Sequence, residues 1–403
     1  MTVKNTIEID PYEALLAPYA CRPSQSLGRI ITEKASPTRN PFQRDKDRII
    51  HSSAFRRLKY KTQVFVVHEG DHFRTRLTHT LEVSQIARSL ARALLVQEDL
   101  AEAVALAHDL GHPPFAHCGE DALQDCLKEW GGFDHNDQSL RVITKLEKRY
   151  GDFDGLNLSW EVLEGIVKHN GPINKALSPT VSEINYKFDL KVKSWASLEA
   201  QLGNLADDIA YNNHDIDDGL RAGFFKIQDL FDLPIVGEIA KKVHRKYPKL
   251  DRTRRANEVT RRLMGLMIDD VLAETRRRLA ELNPQSADDI RNAPQAMVAF
   301  SAEMLTAVTA LRKFLFTNVY RHAKVNRIRR KMTIVVKDLF NLFLNEPQCL
   351  PAEWQQLITD AGGDEAAKIR AVLDYVAGMT DRYALLEHKR LFDLYMIQDL
   401  PSV

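Results

Sequence analysis

The stretch LAHDLGHPPFAH, Leu106 to His117, carries three histidines and an aspartate within twelve residues. Upstream, Leu100, Val104 and His108 fall on one stripe of a helix predicted over 99–109. Gly111 and Pro113-Pro114 must end that helix, because proline lacks an N–H and glycine tolerates the backbone of a sharp turn. His108 and Asp109 therefore stand at a helix C-terminal end. Neighbouring side chains on a helix diverge by about 100°, so this pair can converge on one ion only where the helix gives way to loop.

Working outward, a helix predicted over 76–97 places His79, Val83, Ile86, Leu90 and Leu94 on one face, at steps of four and three. His79 is thus directed inward. Further on, LADDIAYNNHDIDDGL (205–220) sets Asp207, Tyr211 and Asp215 at i, i+4 and i+8. Gly203 and Ala200 continue that face with small residues that leave room for something to approach. Asp208 instead shares its face with Gln201, Asn204 and Asn212, which reads as a solvent-like stripe. The periodicity selects Asp207. His79, His108, Asp109 and Asp207 form a mixed N/O set suited to Mn, Fe, Ni, Zn, Co or Mg. Four protein ligands leave coordination positions for water and substrate, as hydrolysis needs. Mg²⁺ or Mn²⁺ is the expected ion.

The rest of the chain sets the frame. Its 403 residues are 44% hydrophobic and 28% charged, with a formal net charge of +1. That is an ordinary globular balance, and it gives no bulk attraction to nucleic acid or membrane. No apolar run reaches the roughly 18 residues of a spanning helix. MTVKNTIEIDPYEALL lacks the basic-then-apolar pattern of a signal peptide. Cys21, Cys118, Cys126 and Cys349 form no CxxC pair, against zinc ribbons and a disulfide framework. The expected setting is cytoplasmic.

Helical periodicity dominates, so the expected fold class is all-α. Helices are predicted at about 44–60, 117–130, 136–149, 159–169, 194–216, 254–282, 294–319 and 335–345, and at 352–360, 364–378 and 380–396. Strand signals are scarce; the best is QVFVV (63–67), short and isolated, with the end of a helix as the alternative. Breaks fall at SPTRNP (36–41), GGFDHND (131–137), HNGPINKALSPT (169–180), LNPQSADD (282–289) and EPQCLPAE (346–353). The expected division is an N-terminal segment (1–40), a core helical domain (41–225) and a helical C-terminal region (226–403).

The H…HD…D pattern, with HD at a helix end, resembles that of the HD-domain metal-dependent phosphohydrolases. Longer stretches resemble the deoxyguanosine triphosphate triphosphohydrolase family: SPTRNPFQRDKDRIIHSSAFRRLKYKTQVF (36–65), RTRLTHTLEVSQIAR (74–88), AHDLGHPPFAHCGEDAL (107–123), FDHNDQSLR (133–141), EGIVKHNGP (164–172), LADDIAYNNHDIDDGL (205–220) and VYRHAKVNRIRRKM (319–332). The resemblance implies an HD-domain helical bundle over 41–225, with a C-terminal region that regulates or oligomerises. It implies His79, His108, Asp109 and Asp207 as metal ligands. His117 and Glu120 match residues of the chemical step, and His112 and His135 match histidines near the phosphates, His112 being counted with the catalytic set. Gln63 matches a glutamine that reads the deoxyribose 3′-hydroxyl, and Val64 sits where a bulky residue disfavours a ribose 2′-hydroxyl. Arg76 matches a phosphate-binding arginine; Tyr211 and Asp215 match residues beside the sugar. Some relatives carry a phosphate-contacting lysine after the last metal aspartate. This chain has Asp208 there, so Lys187, Arg57 or a second metal would have to meet that charge.

The implied reaction is hydrolysis of deoxynucleoside triphosphates, dGTP or several dNTPs, to deoxynucleoside and tripolyphosphate. His117 and Glu120 are i, i+3 neighbours, so the carboxylate can fix the imidazole tautomer. Whether His117 protonates the 5′-oxygen or activates water stays open at the level of sequence. The alternative is another HD phosphohydrolase, acting on nucleoside monophosphates, cyclic nucleotides or alarmones. A non-catalytic nucleotide sensor is the third reading. Expected partners are the dNTP, a second nucleotide as activator and further copies of the chain as a tetramer or hexamer. The basic run RHAKVNRIRRK (321–331) leaves nucleic acid open without requiring it.

Overall fold

The protein, described by a computed structural model over residues 11–63 and 74–394, is built from helices. In chain order they are α1 (Pro41–Ile50), α2 (Ser53–Arg57), α3 (Arg76–Ala93), α4 (Glu98–Ala107), α5 (Ala116–Cys126), α6 (His135–Arg141), α7 (Trp160–Val167) and α8 (Pro179–Lys187). There follow α9 (Leu198–Ala222), α10 (Val236–Lys246), α11 (Arg252–Leu282), α12 (Ala287–Arg291), α13 (Ala302–Leu315), α14 (Ala323–Asn345), α15 (Ala352–Asp360), α16 (Glu365–Gly378) and α17 (Asp381–Phe392). Among the described residues there is no sheet; extended pairing is confined to isolated bridges, Arg29 with Ser159 and Thr62 with Thr75. The all-α expectation holds. Of QVFVV, only Gln63 is described; Val64 lies outside the described residues. No described helix is long and apolar enough to cross a membrane.

The chain folds into two compact units, each drawn from several stretches of sequence. The first comprises the chain up to Ser52, His79–His108 and Ile143–His322; the second comprises Ser53–Thr78, Asp109–Val142 and the chain from Ala323 onward. One unit boundary falls on the His108–Asp109 peptide bond.

In the first unit α9 is the central element, packed by α4, α7, α11 and α13. Its inward stripe, Leu202, Ala206, Ile209, Asn213, Ile216 and Leu220, repeats at steps of four and three and is fully buried. Ser197 caps its start by accepting from the Ala200 amide, and Gly223 at φ 78° ends it. A Cβ at Gly165 would lie 2.8 Å from Val104 Cγ2 and 3.0 Å from the Ala200 Cβ, so α7 closes tightly on its neighbours. The small residues Ala200 and Gly203 therefore admit packed helices, not a ligand. The stripe shared by Asp208 is not solvent-like either. Gln201 and Asn212 are buried, and Gln201 Oε1 accepts from the Met297 and Val298 amides at 2.8 and 3.2 Å.

In the second unit α14 packs against α5, α16 and α17. Phe115, Leu123, Phe133, Leu339, Phe340, Phe343, Val372 and Val376 make its core. Helix α14 starts twelve residues before the predicted 335–345, because Val325 and Met332 anchor a stretch whose cations mask its apolar period. The predicted 294–319 is shorter as α13, whose start is fixed by Ser301 capping the Met304 amide. Helices α8 and α10 were absent from the sequence expectation.

Candidate active site

Helix α9 brings Asp207 against two histidines of the first unit. His79 Nε2 lies 2.8 Å from Asp207 Oδ1, and His108 Nε2 lies 3.7 Å from the same oxygen. The His79 side chain is 1% exposed and that of Asp207 26%. His108 Nδ1 is 2.6 Å from the Ala105 carbonyl oxygen. A carbonyl can only accept, so Nδ1 carries the hydrogen and Nε2 holds the lone pair. Burial alone would raise the Asp207 carboxyl, but His108 and His79 hold it far below the ordinary carboxylate range. A carboxylate oxygen between two inward imidazole nitrogens, one in the ligating tautomer, fits a divalent cation. The first unit thus supplies His79, His108 and Asp207 to the predicted set, and Asp109 follows His108 covalently.

Other groups of the first unit surround this pair. The His169 ring stacks on His108 with centroids 6.0 Å apart and planes 13° from parallel. A cleft of about 200 Å³ lies beside Asp207, lined by Lys168, His169, Trp195, Gln201 and Asn204 among others. One turn along α9, Tyr211 bonds to the Tyr320 hydroxyl, which donates to Asp215 Oδ2. Burial and the Asp215 charge push the Tyr211 and Tyr320 phenols well up, so both stay neutral donors. Asp208 pairs with Arg312 at 2.8 Å, and Lys187 pairs with Glu183 at 2.9 Å on the exposed face of helix α8.

The second unit gathers the other predicted residues. Asp109 Oδ2 forms an ion pair with Arg76 Nη1 at 2.9 Å, with both side chains buried, and Asp109 Oδ1 lies 3.3 Å from His112 Nε2. Arg76, expected at phosphate, is here the partner of Asp109. Gly111 lets this loop reach α6: a Cβ there would sit 2.1 Å from the Ser139 nitrogen and 2.4 Å from the His135 oxygen. That approach stacks His112 on His135 at a centroid distance of 3.9 Å. Glu120 joins two imidazoles, with His117 Nδ1 at 3.1 Å from Oε2 and His135 Nδ1 at 2.7 Å from Oε1. Burial would raise the Glu120 carboxyl; the His117 and His135 hydrogen bonds outweigh it and hold the group far below its ordinary value. Ligand atoms of His112, Glu120 and His135 lie within 4.8 Å of one another.

A strained turn delivers His117. Phe115 and Ala116 both adopt left-handed backbone, with φ of 64° and 55°, a conformation costly for residues bearing a Cβ. Sequence reasoning missed what holds it. Asp381, at the start of α17, accepts from the Phe115 amide at 2.8 Å. The same carboxylate accepts from the Thr62 amide at 3.0 Å and the Thr62 hydroxyl at 2.5 Å, next to buried Gln63. Lys61 Nζ donates to the carbonyl oxygens of His112 and Ala377. Desolvation drives the Lys61 ammonium well below its ordinary value and raises the Asp381 carboxyl. No local pattern around Asp381 or Lys61 signals these long-range bonds. Tyr320 lies inside the matched stretch 319–332, where its aromatic ring among cations was the available signal.

Comparison with known proteins agrees with this geometry. Residues 76–212 match the HD domain, and residues 298–390 match the phosphohydrolase-associated domain. A deoxyguanosinetriphosphate triphosphohydrolase-like protein of Caulobacter sp. (strain K31) is 55% identical over 388 residues, covering 95% of this chain and 98% of that protein. A protein of the same description from Brucella anthropi is 55% identical over 385 residues, covering 94% and 95%. One from Parvibaculum lavamentivorans is 55% identical over 388 residues, covering 95% and 98%. With an HD motif at a helix end, Asp207 on the facing stripe of α9 and this extent of identity, the chain belongs to the deoxyguanosinetriphosphate triphosphohydrolase-like family of HD-domain phosphohydrolases.

Proposed function

We propose that this phosphohydrolase converts deoxynucleoside triphosphates to deoxynucleoside and tripolyphosphate. The observation that carries the reading is the approach of two buried imidazoles, His79 and His108, to the Asp207 carboxylate. The names of the relatives support the substrate class. In this reading His79, His108, Asp109 and Asp207 hold one divalent cation, Mg²⁺ or Mn²⁺. The cation, when bound, supplies electrostatic stabilisation to charge developing on the phosphate oxygens.

The remaining steps belong to the side chains. Water adds to the α-phosphorus and the bond from phosphorus to the 5′-oxygen breaks; water loses a proton and the 5′-oxygen gains one. His117 moves one of these protons at Nε2. Its Nδ1–H donates to Glu120, which fixes the tautomer and leaves Nε2 facing outward. The second Glu120 oxygen holds His135 in the same way, and His112 and His135 line the phosphate chain. Tyr211, Tyr320 and Asp215 form a hydrogen-bonded group for the sugar, and Gln63 meets the 3′-hydroxyl. A second nucleotide acts as activator in an oligomer.

Product analysis tests the reading. The protein is incubated with Mn²⁺ or Mg²⁺ and each dNTP, singly and mixed, and the products are separated by ion-pair chromatography. Deoxynucleoside with tripolyphosphate is the expected outcome, and activity confined to the mixture indicates a nucleotide activator. Orthophosphate or pyrophosphate as the inorganic product would overturn the triphosphohydrolase assignment in favour of another HD phosphohydrolase.

A further inference from the structure

Both nitrogens of the His79 imidazole are contacted by one helix. Asp207 of α9 faces Nε2 at 2.8 Å, and His214, seven residues on and so on the same face, faces Nδ1 with its own Nδ1 at 3.1 Å. The His79 and His214 rings meet edge on, with planes at 78° and centroids 5.2 Å apart. His214 is buried, and its Nε2 contacts Glu82 Oε2. Glu82 is three residues after His79 on α3, which closes a loop between two helices. Its side chain is 41% exposed, against 2% for His214.

We infer that His214 and Glu82 form a positioning relay that commits His79 Nε2 to the metal. Both ends of this chain, Asp207 and Glu82, are carboxylates that only accept, so the contacts alone set no direction. A cation beside Asp207 that takes the His79 Nε2 lone pair would leave the His79 hydrogen on Nδ1. His214 Nδ1 would then accept it, and the His214 hydrogen would lie on Nε2, toward Glu82. His108 reaches the same tautomer by donating to the Ala105 carbonyl. The two ligand histidines are thus set by different devices: one by backbone, the other by a side-chain chain that ends at the surface. Neither His214 nor Glu82 touches the metal position in this scheme. The inference rests on the metal assignment proposed above.

Mn²⁺ binding alone, read by the EPR signal of free Mn²⁺ in a titration of the full-length protein, tests it. D207A is the control for the metal assignment itself. His214→Ala is expected to weaken Mn²⁺ by about 10–100-fold, the range seen when the hydrogen-bond partner of a ligating histidine is lost. Glu82→Ala is expected to weaken it less. H214N, whose amide oxygen can accept from His79, should recover most of the affinity. Because both residues act through one chain, Glu82→Ala should add nothing in the H214A background. Unchanged affinity in a folded H214A protein, with D207A unable to bind, overturns the relay and leaves the metal assignment intact. Additive losses in the double variant overturn it equally. If D207A binds Mn²⁺ like the wild type, the metal assignment fails and the relay falls with it. Should H214A not fold by circular dichroism, the half-exposed Glu82→Ala and the H214N protein decide the question.

Discussion

The two units hold their candidate site residues in different ways. In the first, His79 and His108 are sealed into the helical core and oriented toward a single carboxylate, Asp207. In the second, Glu120 sits between His117 and His135, and the His117 side chain is 56% exposed. The first arrangement converges two buried imidazole nitrogens on one carboxylate, which suits a cation. The second is a network with hydrogens on every link and one imidazole open to solvent, which suits proton movement. One of the boundaries between the units falls between His108 and Asp109.

The strongest test of this contrast removes a residue of the metal set. H108A should lose bound metal and all measurable turnover together, as read by metal analysis of the purified protein and by tripolyphosphate release. A residue of the proton network should separate those properties. E120Q should keep its metal and lose about 10²–10⁴-fold in kcat, with little change in KM.

Sequence periodicity anticipated much of this contrast and missed its supports. His79 on an apolar stripe, His108 beside a glycine-proline stop and Asp207 on the i, i+4, i+8 face were all legible, because each signal is local. The relation of Asp207 to His214 was legible in principle, since seven residues make two helical turns. Asp381 was not: it lies 266 and 319 residues along the chain from the groups it holds, and an acid at a helix start reads as an ordinary cap. Small residues misled where they served helix packing, at Ala200 and Gly203. The early part of α14 was hidden by its arginines and lysines.

Asp381 offers a smaller, structural test. D381A leaves the amides of Phe115 and Thr62 without their acceptor, and should cost about 2–4 kcal/mol in a urea titration. Because Phe115 precedes His117, kcat should fall in the protein that remains folded, while bound metal stays near the wild-type level. Loss of metal in D381A would blur the division between the two sets.

The smallest expected effect is on acid stability. Glu120 has a folded pKa depressed below its ordinary 4.5. Its contribution is complete above that value and is lost as pH falls through 4.5 toward the folded value. Comparing wild type with E120Q by urea titration between about pH 6 and pH 3.5, E120Q should show the shallower decline. Parallel declines would mean that the pair of histidines does not hold the carboxylate charged.

The most direct measurement pairs D207A with H117A. Bound Mn²⁺ and single-turnover release of tripolyphosphate from dGTP are followed for each protein. The division predicts that D207A loses both, whereas H117A retains stoichiometric metal and loses turnover. Metal loss in H117A, or turnover persisting in metal-free D207A, would contradict it.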